Sequence, residues 1–486
     1  MIEKSGISPK SIKANYMYSM AYEIFSLLTP LITTPYISRV LGAEGVGIYS
    51  YTYSIALFFV LLGNLGVMTY GQMVIAKCRG DREETSRAFY ELLILRSITL
   101  MISFVIYMGI SLISVEHRPA RIVLGIYVFA AAFDLTWLFR GIEDFSKVAI
   151  RNFIIKIAMI AMIFLFVKEA DDVNLYIFFV AMSTFLGNGS FIFSAREILC
   201  SVPLRSLHVK QHIKPTLVFF VPTIATSVYT LLDKTMLGVL TYGTAANGYY
   251  EQAHKIEQML IVVLTSLNMI MRSRMSSLYQ QGRLDEMKMR LNRSISFISA
   301  VAISMTAGLV GIASNFVPLF LGGGFEESIV LLQLFAFLLV IIGLSNCLNA
   351  HFLGPSGRQG KNNYVLVAGA ALNFLFNLMM IPKLGAVGAA IGSVLAETLI
   401  LIGYLFLIRD FFKVRTLFSL VWKYVIAGII MGTIVSYLGK LSGNVIMVLA
   451  IQVCAGVVIY VGIVLLLRDR FALNVVKAML RKPLLP

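Results

Sequence analysis

Fourteen long apolar stretches, separated by short turns carrying charge, Gly or Pro, run almost the whole length of this chain. A bilayer core about 30 Å thick is crossed by about 20 apolar residues in α-helical form. With no water at that depth, each segment must satisfy its own backbone N–H and C=O groups. The pattern therefore dictates a bundle of membrane-spanning helices, an all-α polytopic fold with about 14 transmembrane segments. They fall at 11–41, 45–75, 88–114, 120–141, 147–168, 173–194, 213–240, 245–272, 291–321, 327–353, 362–382, 384–409, 417–438 and 444–467. None shows the ten-residue alternation of a membrane barrel. The longest connection, near 195–212, leaves no room for a globular catalytic domain on either face.

Composition agrees, since only 14% of the 486 residues are charged and 58% are hydrophobic, too few charges to coat a water-facing surface. The formal net charge of +16 would suggest a nucleic-acid partner in a soluble protein. Position decides otherwise. With the N-terminus inside and the spans alternating, Lys77, Arg79 and Arg82, then Arg272, Arg274, Arg283, Lys288, Arg290 and Arg293, then Arg468, Arg470, Lys477, Arg481 and Lys482 all fall on one side. That is the positive-inside bias, and it places both termini in the cytoplasm. No basic stretch is interleaved with exposed aromatics, so no nucleic-acid partner is expected. The first span carries Glu23 and lacks a small-residue cleavage site, which reads as a membrane helix rather than a signal peptide. Cys78, Cys200, Cys347 and Cys454 are too scattered for a disulfide framework or a zinc site.

A theme recurs along the chain. Leu41-Gly42-Ala43-Glu44-Gly45-Val46-Gly47-Ile48 in the first hairpin is matched by Leu384-Gly385-Ala386-Val387-Gly388-Ala389-Ala390-Ile391 before the twelfth span. More weakly, Leu237-Gly238 followed by Gly248-Tyr249-Tyr250 echoes Leu41-Gly42 followed by Gly47-Ile48-Tyr49. We read two similar six-helix lobes, 1–210 and 211–410, with a further helix pair and basic tail over 411–486. Repeated lobes are the usual construction of transporters, although tight turns need Gly in any polytopic protein. Pro30 and Pro35 in the first span and Pro222 in the seventh are candidates for functional bends or for tolerated kinks.

Ionisable residues inside spans cost roughly 2.5–3.5 kcal/mol at the helix centre, so they face a partner or a wet cavity. Here they are Glu23 and Arg39 in the first span, Glu91 and Arg96 in the third, Asp134 and Arg140 in the fourth, Arg151 and Lys156 in the fifth, and Glu397 in the twelfth. The densest group is Asp233 and Lys234 on the seventh span with Glu251, His254 and Lys255 on the eighth, where Glu251 and Lys255 share a face at i,i+4. This group either neutralises itself as a structural cluster or serves a cavity, the cations for an anionic phosphate or diphosphate and the carboxylates for protons or sodium. Asp134, Trp137 and Gly141 share one face near the inner end of span four, as an inner gate or as a packing motif in which Asp134 meets Arg151. Tyr49 and Tyr53, with Asn64 and Gln72 beyond, suit sugar faces or an interfacial aromatic belt. His254 lacks a nucleophile and an orienting third group, and no Walker loop, G-x-S-x-G or H-E-x-x-H motif occurs. An enzyme and a cofactor are therefore not expected. A polymerase or acyltransferase would need a large loop or a compact catalytic constellation.

Four blocks resemble the polysaccharide biosynthesis protein family, the Wzx-type flippases of O-antigen and capsule repeat units. They are Pro35-Tyr36-Ile37-Ser38-Arg39-Val40-Leu41-Gly42 with Gly45-Val46-Gly47; Phe133 to Glu143 with Arg151-Asn152; Leu232-Asp233-Lys234-Thr235-Met236-Leu237-Gly238 with Gly248 to Ile256; and Leu353-Gly354-Pro355-Ser356-Gly357-Arg358. The resemblance implies the multidrug and toxin extrusion fold, two six-helix lobes and often an added helix pair. It also implies a substrate, undecaprenyl diphosphate carrying an oligosaccharide, moved from the cytoplasmic to the outer leaflet of the bacterial inner membrane, with glycosyltransferases and a polymerase as functional partners. On that reading Arg39, Lys234 and Lys255 contact the diphosphate or sugar head, and Asp233 and Glu251, with Glu23 and Glu397, hold those cations or exchange H+ or Na+. The rival is an ion-coupled organic-cation antiporter of the same fold, which should have a more acidic lining.

Overall fold

Each apolar stretch is helical over most of its length. The computed structural model describes residues 12–469 and 471–474, without the side chains of 12–24, 26–28, 145–150, 221–222, 225–230, 266–267 and 269–270. The chain forms two compact units that divide between Gly248 and Tyr249. The first contains α1 (Ile12–Asn64), α2 (Val67–Lys77), α3 (Arg82–Ile113), α4 (Arg118–Ala130), α5 (Thr136–Gly141), α6 (Phe145–Phe166), α7 (Val173–Gly189), α8 (Phe191–Ile198) and α9 (Ile213–Leu240). The division falls near the start of α10 (Ala245–Gln280), and α11 (Leu284–Leu321), α12 (Glu327–Leu348), α13 (Gln359–Leu407), α14 (Val414–Leu438) and α15 (Val445–Leu466) follow in the second unit. Nine helical segments among the described residues are long and apolar enough to cross a membrane. Ile98, Met101, Ile102 and Val105 on α3 and Val457, Val458 and Val461 on α15 stay exposed, as a lipid-facing surface requires.

The recurring Leu-Gly-Ala motif has a recurring backbone. α1 and α13 each join two spans across a kink, at Gly42 with φ 65° and at Gly385 with φ 55°. Only glycine takes that left-handed conformation without cost. The start of α3 is capped by a side chain: Asp81 accepts the N–H groups of Glu83 and Glu84 at 2.8 and 3.0 Å, and those two acids sit in the first turn.

Three spans depart from straight helices. The second breaks at Leu65-Gly66, both at positive φ, where a Cβ on Gly66 would stand 2.6 Å from the Thr216 carbonyl oxygen of α9. The fourth breaks into a 3₁₀ turn at Ala131–Phe133 before α5, and the sixth changes helix at Ser190. The eighth and ninth spans run further into water than their apolar runs, to Gln280 and from Leu284. Those extensions are amphipathic and braced by Glu286, which pairs with Arg283 and with Arg290 at 2.7 Å. An apolar criterion does not see helix supported by i,i+4 charge pairs.

In the second unit α11 lies between α12 and α14. α14 meets α11 through small residues: a Cβ on Gly428 would be 2.7 Å from Ile303 Cγ2, and one on Gly311 2.8 Å from Val435 Cγ1. At one end of α13, Arg358 donates to both Asp410 oxygens at 2.8 and 2.5 Å and to the Leu407 carbonyl at 2.7 Å. That hydrogen-bonded guanidinium holds the Asp410 carboxyl down at about 2. Because the folded value lies below the ordinary one near ~3.9, the stabilisation is complete above the ordinary value and lost as pH falls toward 2. The pair is half exposed, so its worth stays below about 1 kcal/mol. Asp410→Asn should melt slightly earlier than the unchanged protein at pH 7, with the gap shrinking between pH 5 and pH 3. An equal gap at pH 7 and pH 3 would remove the pair as its source.

Candidate functional site

The first unit contains a reciprocal helix crossing. Ala43 and Gly47 open the second half of α1, and Thr244 and Gly248 stand at the same spacing at the start of α10. A Cβ on Gly47 would lie 1.8 Å from the Thr244 carbonyl oxygen, and one on Gly248 would lie 1.9 Å from that of Ala43. The two small-x-x-x-small segments thus exchange the same contact, carbonyl of one over glycine of the other. Thr244 Oγ1 donates to the Glu44 carbonyl at 3.1 Å. Two turns further in, a Cβ on Gly238 would overlap the Tyr51 ring at 2.1 Å, and Ser54 and Thr235 hydroxyls meet at 2.9 Å. These are the segments that the weaker sequence echo aligned.

Beside this crossing, tyrosines from α1, α4 and α7 pack ring on ring. Tyr49 stacks on Tyr53 with centroids 5.2 Å apart and meets the edge of Tyr176 at 5.0 Å. Tyr53 and Tyr127 share a hydroxyl contact of 2.9 Å. Tyr53 and Tyr127 keep partial exposure, so the group is a clustered polar-aromatic wall rather than separate interfacial rings.

Two charges of α3 are fully engaged. Arg96, 1% exposed, donates to Asn64 Oδ1 at 2.8 Å and to the carbonyls of Ala131 at 2.6 Å and Asp134 at 2.5 Å. It therefore caps the break in span four. Glu91 accepts from the His208 backbone N–H at 2.6 Å, from Gln211 at 2.9 Å and from the His212 ring at 2.7 Å, and Tyr70 meets the other side of that ring at 3.0 Å. This buried network ties the longest connection to the helix bundle.

The other expected residues of the first unit separate. Asp134 caps α5 through the Thr136 N–H at 2.9 Å. Arg151 does not meet it, donating instead to Ser194 Oγ at 2.6 Å and lying 4.7 Å over the Phe191 ring. Trp137 is completely buried, stacked on Phe89 at 5.3 Å and pressed on Gly71 of α2, while Gly141 packs on Ile75. Arg140 is exposed. Arg39 is exposed and donates to the Pro35 carbonyl at 3.0 Å. Asp233 is buried, and the Lys234 carbonyl accepts from Asn247 at 2.6 Å. The side chains of Glu23 and Pro222 lie outside the described residues.

The second unit carries a polar seam through apolar helices. Lys255 pairs with Glu251 at 3.2 Å on α10, and His254 stacks on Tyr250, whose hydroxyl meets Ser393 at 3.4 Å. One turn along α10, Glu257 is fully buried with one carboxylate oxygen accepting from Gln258 at 3.0 Å and the other without a hydrogen-bond partner among the described residues. Glu397 on α13 is buried as well, at 6% exposure. Asn373 and Asn377, both fully buried, are linked at 3.3 Å, and Asn377 Oδ1 rests where a Cβ on Gly392 would be only 2.5 Å away. Beyond them Asn362 reaches Asn349 at 3.4 Å. Glu257 was readable in the sequence as a carboxylate inside span eight; the asparagines carry no charge and gave no such signal. No cluster of metal-ligating residues occurs among the described residues.

Comparison with known proteins places this architecture. The chain is 22% identical over 405 residues, 82% of its own length and 97% of the relative's, to a protein of Escherichia coli (strain K12) named "Putative O-antigen transporter". A protein of that name from Shigella dysenteriae is 24% identical over 400 residues, covering 80% of this chain and 98% of its own. Among solved structures, the lipid II flippase MurJ in an inward closed conformation superposes with a TM-score of 0.72 at 16% identity, covering 92% of this chain and 98% of MurJ. An inward-facing multidrug resistance MATE family transporter of the MOP superfamily gives 0.60 at 16% identity, covering 85% and 99%. The fold is thus the one these transporters share. Residues 12–272 match the family described as polysaccharide biosynthesis protein, and the chain belongs to that family.

Proposed function

We propose that this chain is a lipid-linked oligosaccharide flippase, moving undecaprenyl-diphosphate-linked repeat units from the cytoplasmic to the outer leaflet of the bacterial inner membrane by alternating access. The observation that carries the reading is the buried polar seam of the second unit. Membrane helices bury carboxylates and amides chiefly where these pair with one another, line a wet path or hold a coupled ion. Family membership and the names of the relatives supply the substrate class. Arg39 and Lys234 in the first unit and Lys255 in the second are the cations we assign to the diphosphate, and the tyrosine wall of Tyr49, Tyr53, Tyr127 and Tyr176 suits sugar faces. Both termini are assigned to the cytoplasm from the charge bias. Glycosyltransferases supply the substrate and a polymerase consumes it.

Coupling we assign to Glu257 and Glu397. A carboxylate buried among apolar helices does not ionise readily, so one of the two exchanges a proton or holds Na+ during the cycle. In cells lacking the chain, lipid-linked repeat units should accumulate on the cytoplasmic leaflet, and restoring it should clear them. Glu257→Gln at normal abundance should block most of that clearance, and alanine at both Lys234 and Lys255 should do the same. No accumulation, with altered sensitivity to cationic drugs instead, would favour the antiporter.

A further inference from the structure

The end of the second unit where Lys and Arg concentrate contains a cleft of about 910 Å³ between the starts of α11 and α14 and the chain leaving α15. Among the described residues four cations line it, Lys288, Arg293, Lys423 and Arg468, against two carboxylates, Asp285 and Asp469. One of the acids is already committed: Asp469 accepts from the Tyr424 hydroxyl at 2.8 Å and the Ala472 N–H at 3.0 Å. The cleft therefore presents net positive charge. Met289, Leu420 and Phe471 add apolar surface to the lining.

We infer that this cleft binds the phosphodiester head of an anionic phospholipid, phosphatidylglycerol in type, from the surrounding leaflet. Depth is the first argument. Trp422, 46% exposed, stands next to Lys423 with the ammonium 5.9 Å from its ring, the usual station of tryptophan at headgroup level. From there Val425, Ile426 and Ile429 leave an exposed apolar strip along α14 on which acyl chains can lie. Basic pockets between membrane helices at this depth take phosphate heads.

Two details favour a ligand over a merely charged surface. Asn292, which lines the cleft, has its buried Oδ1 without a hydrogen-bond partner among the described residues, an acceptor suited to a glycerol hydroxyl. Arg468 ends α15 at φ 50°, in the left-handed region where glycine would serve the turn at less cost. The side chain is what the turn gains for that strain. The inference does not depend on what the protein transports.

The test is thermal unfolding of the purified full-length protein in detergent with added phosphatidylglycerol, phosphatidylethanolamine or inorganic phosphate. Phosphatidylglycerol should raise the melting temperature more than the other two. Combined Lys288→Gln, Arg293→Gln and Lys423→Gln should raise the phosphatidylglycerol concentration needed for half of that shift about tenfold or more. Removing the exposed cations Arg274, Lys361 and Arg409 together should not. Should the cleft triple variant fail to fold, Lys288→Glu alone, at an exposed position, reads the same loss. An equal shift in the cleft and control variants would overturn the site, and an equal shift from inorganic phosphate would overturn the lipid as its occupant.

Discussion

Gly47→Ala should abolish clearance of lipid-linked repeat units, whereas Gly109→Ala on α3 should leave it unchanged. The added methyl is the same in both. At Gly109 it meets nothing within 4 Å; at Gly47 it would sit 1.8 Å from the Thr244 carbonyl oxygen. That obstacle is backbone and cannot rotate aside, so α1 and the start of α10 must part by more than 1 Å. Overpacking of this kind costs about 1–3 kcal/mol, and the upper end of that range is roughly a hundredfold in the population of the crossed state. The reciprocal contact makes a second demand: Gly248→Ala, with its methyl 1.9 Å from the Ala43 carbonyl oxygen, should give the same phenotype. Clearance assayed at matched protein abundance decides the matter. Undiminished clearance by both variants would mean that the close approach is dispensable to the cycle.

The second large effect is expected from Arg96→Met. The side chain volume is roughly kept, but Asn64 Oδ1 and the Asp134 carbonyl lose their donor in a buried place, and the Ala131 carbonyl keeps only the Asp134 N–H. Each unmet acceptor costs about 1–3 kcal/mol, and two together reach the lower end of a typical domain's stability, about 5–15 kcal/mol. Arg96→Lys should rescue little, since an ammonium cannot reach three acceptors in the spread of a guanidinium fork. The expected result is a sharp fall in membrane abundance and in the melting temperature of what remains. A melting temperature within a few degrees of the unchanged protein would show that water takes over the freed acceptors.

The helices were legible because lipid imposes a length and a polarity that any sequence must obey, so the fourteen apolar runs and their flanking charges located them. The breaks were not. Nothing in Ala131-Ala132-Phe133-Asp134-Leu135 announces a helix end; the turn persists because Arg96, a whole span away, supplies its donors. Arg96 itself stood out as a costly charge, yet its partners are backbone carbonyls, which look alike at every position in a sequence. The glycine motifs show the same division. Gly42 and Gly385 were read as one turn and share one backbone, because local conformation follows local sequence. That Gly47 and Gly248 touch each other's helices is a fact about partners, and similarity between two segments says nothing about their meeting. Arg151 went to Ser194 and Phe191 instead of Asp134 for that reason too.

The capped break in span four also bears on how the chain is made. Released singly into hydrocarbon, span four would expose the carbonyls of Ala130 and Asp134, which in the folded protein take donors from Asn188 and Arg96. Span three released singly would carry a bare guanidinium. Neither segment is a good guest of the lipid alone, and each repairs the other's fault. Spans three and four should therefore wait at the translocon and leave it as one hairpin, so that order of synthesis, rather than the apolarity of either segment, governs when this part of the protein enters the membrane.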